Sequence, residues 1–221
     1  MKLNFAKKYH QMLKKTDGIF LNNPILSLGL ALPLAIIPSY GVAGTTAISL
    51  AMLFCFVPIV LVASIVGDNL PRHFRVIVYP LLSGLLLIPT SYVVEKISPA
   101  IFDTLGVYFS LICVNSMLNY SVEKAHIQKP LPALAFALRQ WLGASLVAFI
   151  FSFVRQLLAS GSAWGVKLFS SIPSLSVAQM AFGGFILLGF FAALCRLIHR
   201  AILSLTLRAG ENDEENGGAK S

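Results

Sequence analysis

"LGVYFSLICVNSM", residues 105–117, is the stretch whose reading decides the fold of this chain. It is apolar enough to lie in a bilayer, yet it gathers Gly106, Ser110, Cys113, Asn115 and Ser116, which a plain lipid-facing helix would not choose. A second stretch of the same character, "NNPILSLGLALP" at 22–33, lies in the matching place of the first half. Both read as membrane spans interrupted along their length.

Composition sets the solvent. The chain has 221 residues, of which 57% are hydrophobic and 12% charged, with a mean hydropathy of +0.79. No ordinary soluble domain keeps its surface wet on that composition, so this is an integral membrane protein. The net charge of +8 might suggest nucleic acid, but the basic residues cluster at the ends of apolar segments, which indicates membrane orientation and no nucleic-acid partner. Cys55, Cys113 and Cys195 are far apart, with no CxxC pair and no even-numbered framework, so neither a disulfide scaffold nor a zinc site is indicated. Cys55 and Cys195 read as packing residues. The apolar sequence after the basic N-terminus runs past the length of a signal peptide and further spans follow, so no cleaved segment is read.

Six spans of near the ~20 residues needed to cross the hydrocarbon core are predicted, over 19–39, 44–66, 75–95, 99–120, 131–157 and 177–206. Residues 1–17 form a basic arm with helical spacing of Leu3, Ala6, Tyr9, Met12 and Leu13 among lysines, suited to an anionic membrane surface. Residues 18–208 form the membrane domain, and the acidic, glycine-rich 209–221 a disordered tail. Lys2, Lys7, Lys8, Lys14 and Lys15, Arg72 and Arg75, Lys124 and Lys129, and Arg196, Arg200, Arg208 and Lys220 fall on one side; Lys96 and Lys167 fall on the other, with Arg155 near that end of the fifth span. The positive-inside rule therefore places both termini in the cytoplasm. Three spans per half is an odd number, so two similar halves, about 18–97 and 98–208, must insert upside down relative to each other. Such inverted repeats bring their interrupted spans together near the midplane, where the working site lies.

The chain resembles the six-span membrane subunits of the Rnf electron-transport complex and the sodium-pumping NADH:quinone reductase (Nqr), most closely the RnfE and NqrD type. The likeness rests on "NNPIL" opening the first span, "NLPRHFRVIVYP" (69–80) before the third, "LGVYFSLICVNSM" in the fourth, "FVRQLLASGSAWG" (153–165) closing the fifth and "GGFILLGF" (183–190) in the last. The resemblance implies an all-α fold of two inverted three-span repeats and a sister six-span subunit of opposite orientation. It also implies other complex subunits, a bacterial inner-membrane location, and an iron–sulfur cluster held at the midplane by one cysteine from each interrupted span of each sister. At most, the chain would be one subunit of an oxidoreductase or translocase.

The sequence departs from that pattern where the chemistry matters. The positions aligned with the two cluster cysteines are Leu32, before Pro33, and Ser116, after Asn115; leucine cannot ligate iron and serine does so poorly. In the fifth span a glycine-rich start has become "AFALRQWLGAS" (135–145), with Arg139, Gln140 and Trp141. The chain is therefore expected to hold no cofactor of its own, with any cluster or flavin in partner subunits, and to supply the bundle and the midplane interface. The alternative is a repurposed transporter or assembly scaffold through which no electron passes. Cys113 reads as a packing residue, with a ligand role through local unwinding as the alternative.

Asn115 and Asn119, four apart, are expected on one helical face, in interhelical hydrogen bonds or as a polar lining of the midplane. Arg139 is expected to snorkel to the surface, or, if buried, to pair with Glu123. Asp68, Arg72 and Arg75 form a loop that is either solvated or a partner contact. Asp103 and Glu95 read as interfacial, and His10, His73, His126 and His199 do not converge at metal-ligand spacing. No hydrolase arrangement, phosphate loop or HExxH is present.

Overall fold

The computed structural model describes residues 23–36, 41–97, 99–163, 166–167, 176–197 and 200. The expected basic arm and acidic tail lie outside the described residues. Helices, in chain order, are α1 (Leu32–Ile36), α2 (Val42–Val66), α3 (Arg72–Ile97), α4 (Pro99–Leu105), α5 (Val107–Ser110), α6 (Ser116–Ala125), α7 (Pro130–Ser160), α8 (Ser176–Gln179) and α9 (Ala181–Leu197). A 3-10 turn, Gly67–Asn69, follows α2. The described residues are helical apart from turns and a minimal antiparallel ladder after α7, in which Ser162 pairs with Lys167 and Ala163 with Val166.

Three helices are long and apolar enough to cross a membrane: α2 with its 3-10 extension, α3 and α7. They correspond to the second, third and fifth predicted spans. Two of them carry what a membrane helix tolerates and a soluble one avoids, namely interior prolines at Pro58 in α2 and at Pro80 and Pro89 in α3. Pro130 opens α7, where its missing N–H has no helical partner to lose. Gly161 closes α7 in the left-handed conformation (φ 63°), its N–H returning to the Leu157 carbonyl at 2.9 Å. α9 is apolar but shorter.

The two interrupted stretches are broken as their composition demanded. Residues 23–31 run through turns before α1, and residues 99–125 are divided among α4, α5, a further turn and α6. α2 and α7 form the central pair, their inward faces lined by small residues such as Ala51, Ala63, Ala137, Gly143, Ala144 and Ala148 that allow close backbone approach. α6 packs on α2, α1 packs on α7, and α3 lies outside α2. The outer face of α3, with Phe74, Ile77, Leu81, Leu85, Ile88 and Tyr92, is exposed and apolar. Its buried residues are Arg75, Tyr79, Ser83, Thr90 and Val94. Apolar outside and polar inside is the arrangement a bilayer imposes.

Candidate functional site at the interrupted segments

In the first segment Asn23 sets the geometry. Its Oδ1 accepts from the N–H groups of Ile25 at 2.9 Å and Leu26 at 3.2 Å, and its Nδ2 donates to the Gly143 carbonyl of α7 at 2.8 Å. The residue is fully buried, so its amide meets the polar needs of an irregular backbone that hydrocarbon could not satisfy. The chain then turns through Gly29 (φ 65°) and Ala31 (φ 56°). Positive φ is unusual for a residue with a Cβ, and Ala31 holds it while buried. α1 starts immediately after, at Leu32, with Pro33 in its first turn.

The second segment repeats this logic. α4 ends at Leu105, Gly106 (φ 45°) breaks the helix, and the chain reaches Asn115 in an extended conformation. Asn115 Oδ1 accepts from Leu118 N at 2.7 Å, capping α6, while its Nδ2 donates to the Ile112 carbonyl at 2.8 Å. The interhelical role expected for this amide is therefore replaced by a local one. Asn115 stands outside the helix as its cap and so does not share a helical face with the half-buried Asn119.

The two breaks meet. The backbone N–H of Ala31 donates to Ser116 Oγ at 3.2 Å, which joins the neighbour of Leu32 to Ser116 itself, the two positions singled out from the sequence. Leu32 offers no donor atom, and the Ser116 hydroxyl is occupied by this backbone bond. Cys113 is buried in the turn before Asn115, and its thiol faces α3, where it meets the Ser83 hydroxyl without reaching hydrogen-bond geometry. The residues present at 32 and 116 thus do not fit the thiolate pair that the family resemblance implied. Among the described residues no group of three or more His, Cys, Asp or Glu side chains is placed to hold a metal ion.

The remaining predicted residues fall as follows. Arg75 is buried, its Nε donating to the Leu70 carbonyl at 2.8 Å and its Nη2 lying 3.3 Å from Asp68 Oδ1. It ties the α2–α3 loop to the helix, leaving Asp68 and Arg72 as exposed residues of that loop. Asp68 also lies 3.6 Å from His126 Nε2 at the end of α6. Arg139 is exposed, Gln140 is buried, and Trp141 Nε1 donates to the Ser49 carbonyl at 2.8 Å. Beside it, Ser49 Oγ donates to Ser145 Oγ at 2.6 Å across the α2–α7 interface.

Arg155 has a structural role that the sequence pattern did not reveal. It is the largest fully buried side chain among the described residues. Its Nε donates to the Ala178 carbonyl at 2.6 Å, its Nη2 to the Met180 carbonyl at 3.1 Å and its Nη1 to the Ile36 carbonyl. One guanidinium thereby fastens the end of α1 to the kink between α8 and α9. "GGFILLGF" makes room for it: a Cβ on Gly184 would come within 2.8 Å of Ile36 Cγ2 and 2.9 Å of Arg155 Cζ. The signal in the sequence was an arginine inside an apolar run, with a glycine pair in the following helix.

Comparison with known proteins agrees with this geometry. A family model described as "Rnf-Nqr subunit, membrane protein" matches residues 12–192. The chain is 27% identical over 205 residues to the E-type subunit of the proton-translocating ferredoxin:NAD(+) oxidoreductase complex of Clostridium ljungdahlii, covering 91% of this chain and 94% of that one. It is 29% identical over 171 residues to the D-type subunit of the Na(+)-translocating NADH-quinone reductase of Shewanella frigidimarina, covering 76% and 79%. Against the E-type subunit of an ion-translocating oxidoreductase complex of Aliivibrio fischeri the identity is 25% over 208 residues, covering 86% and 90%.

Proposed function

Because the chain belongs to the Rnf-Nqr family of membrane subunits, we propose that it serves an ion-translocating electron-transport complex as a subunit that carries no cluster itself, with redox groups held by its partners. The observation that carries this reading is the Ala31–Ser116 bond. The two interrupted segments converge where a thiolate pair would be needed, and a backbone hydrogen bond closes the junction instead.

Six spans in two inverted halves is the arrangement we propose for the bundle. Reciprocal ties between the halves support it. Arg155, on the long helix of the second half, holds the Ile36 carbonyl at the end of α1. Ser64, on the long helix of the first half, donates to the Gln128 carbonyl just past α6 at 2.7 Å. Each half thus anchors the other's interrupted segment. Leu28 and Gly29 in the first break, and Ser110, Val114 and Ser116 in the second, are exposed. Irregular backbone at membrane depth requires cover by protein, which supports a sister six-span subunit of opposite orientation seated over the junction. Basic residues concentrated on one side argue for cytoplasmic termini in a bacterial inner membrane.

The test is iron and acid-labile sulfide per chain in gently solubilised assembly, with and without Cys113→Ala. Iron that is insensitive to this change fits a cluster held by a partner. Iron lost with Cys113 would overturn the cluster-free reading, and an intact assembly without iron, flavin or any redox partner would replace electron transport by transport or scaffolding.

A further inference from the structure

The inward face of α3 is a poor surface for apolar packing. Four of the five residues it buries, Arg75, Tyr79, Ser83 and Thr90, are polar, and they fall on one stripe because they are spaced at multiples of about a helical turn. From Arg75 to Thr90 the stripe spans roughly 22 Å at ~1.5 Å per residue, most of the ~30 Å hydrocarbon thickness. It faces α2 and α6. At one end Arg75 is held by Leu70 and Asp68. Midway, Ser83 faces Cys113 of the second interrupted segment. At the far end Cys55 Sγ donates to Thr90 Oγ1 at 3.6 Å, and Thr90 Oγ1 donates to the Leu86 carbonyl at 2.8 Å.

Three hydroxyls in this region, of Tyr79, Ser83 and Ser121, are buried and make no hydrogen bond within the protein. Ser121 lies on α6, between the break at Ser116 and the His126–Asp68 pair, so its depth corresponds to that of Tyr79 on the antiparallel α3. An unpartnered hydroxyl in an apolar interior costs on the order of 1–3 kcal/mol on mutational scales. Three along one seam is therefore a demand for a ligand that both donates and accepts. Water meets it, since a buried water commonly makes about three hydrogen bonds to otherwise unsatisfied groups. A metal cation does not: among the described residues no carboxylate is buried, and the one charge on the stripe is the Arg75 guanidinium.

We propose that this seam between α3, α2 and α6 is a file of bound water that brings exchangeable protons from the Asp68–Arg75 loop to the second interrupted segment. Such a file is independent of whether the chain works in an electron-transport assembly, because it rests on hydroxyls that no redox role explains.

The experiment reads hydrogen–deuterium exchange of the native thiols by their S–H stretching bands in the full-length protein in nanodiscs, with Cys55→Ala and Cys113→Ala assigning the bands. A hydrated seam makes Cys113 exchange rapidly on transfer to deuterated buffer, and Tyr79→Phe/Ser83→Ala slows that exchange tenfold or more. Absence of Cys113 exchange in the native protein, or an unchanged rate in the double variant, would overturn the proposal. A second readout guards against a double variant that fails to fold. Ser121→Ala lowers Tm if the hydroxyl is wetted, because a bound water loses a partner, whereas in a dry seam it removes an unsatisfied group and raises or preserves Tm, which would also count against the proposal.

Discussion

Ala31 and Ser116 are 85 residues apart in sequence and joined by a 3.2 Å hydrogen bond from backbone to hydroxyl. The bond satisfies a donor at a residue with positive φ and fixes where two helices, α1 and α6, begin. Ser116→Ala leaves that N–H without its partner, and a cost of about 1–3 kcal/mol is expected. Thermal unfolding in detergent should show a lower Tm, with Ser116→Thr, which keeps a hydroxyl, nearer to the parent. A parental Tm for Ser116→Ala would mean that the junction is not a structural tie.

Gly184 and Gly189 lie on the same helix and differ in what a methyl group would meet. Gly184→Ala places its Cβ against Ile36 and the Arg155 guanidinium, while Gly189 has nothing within 4 Å. Overpacking of this kind costs about 1–3 kcal/mol. Gly184→Ala should therefore reduce folded yield and Tm, and Gly189→Ala should leave both unchanged. Equal effects would argue against the cage around Arg155.

Asn23 and Asn115 are both amides that cap a local turn, but only Asn23 reaches another helix. Asn115→Ser keeps an oxygen at the cap position and should retain most stability. Asn115→Ala should lose the ~0.5–2 kcal/mol typical of a helix cap. Asn23→Ser is expected to be worse tolerated than Asn115→Ser, since a serine cannot span to the Gly143 carbonyl. Melting curves of the four single variants, with Asn23→Ala included, rank these effects.

Asp68 and Arg75 form one ion pair of unequal burial, with the Asp68 side chain 82% exposed and that of Arg75 8% exposed. An exposed partner contributes little, so Asp68→Asn should cost under about 1 kcal/mol. Arg75→Gln also removes the buried bond to the Leu70 carbonyl and should destabilise more. Chemical unfolding of both variants checks the order, and the Asp68 effect should shrink further in high salt.

Much of the fold was legible in the sequence, because hydrocarbon is a demanding solvent. The long spans over 44–66, 75–95 and 131–157 were set by length and apolarity, and the helices run at 42–66, 72–97 and 130–160. The breaks were legible too, since Gly, Asn and Ser inside an apolar run mark backbone that cannot continue as a plain helix. The role of Asn115 was not legible: an amide next to a break can cap its own helix or reach across to another, and local composition does not choose. Arg155 read only as one of few charges at its end of the bundle, because its partners are backbone carbonyls, which carry no residue identity.

The sequence by itself determined that the chain lives in a membrane, where its long helices run, that two segments are broken, and that the positions aligned with metal ligands hold leucine and serine. Each of these follows from the solvent or from the side chain alone. Tertiary structure decided that the two breaks meet through Ala31 and Ser116, that Cys113 faces Ser83 on α3, and that Arg155 ties three carbonyls together. Those relationships join backbone and side-chain groups from distant parts of the chain, and only packing sets which of them come within a hydrogen bond of one another.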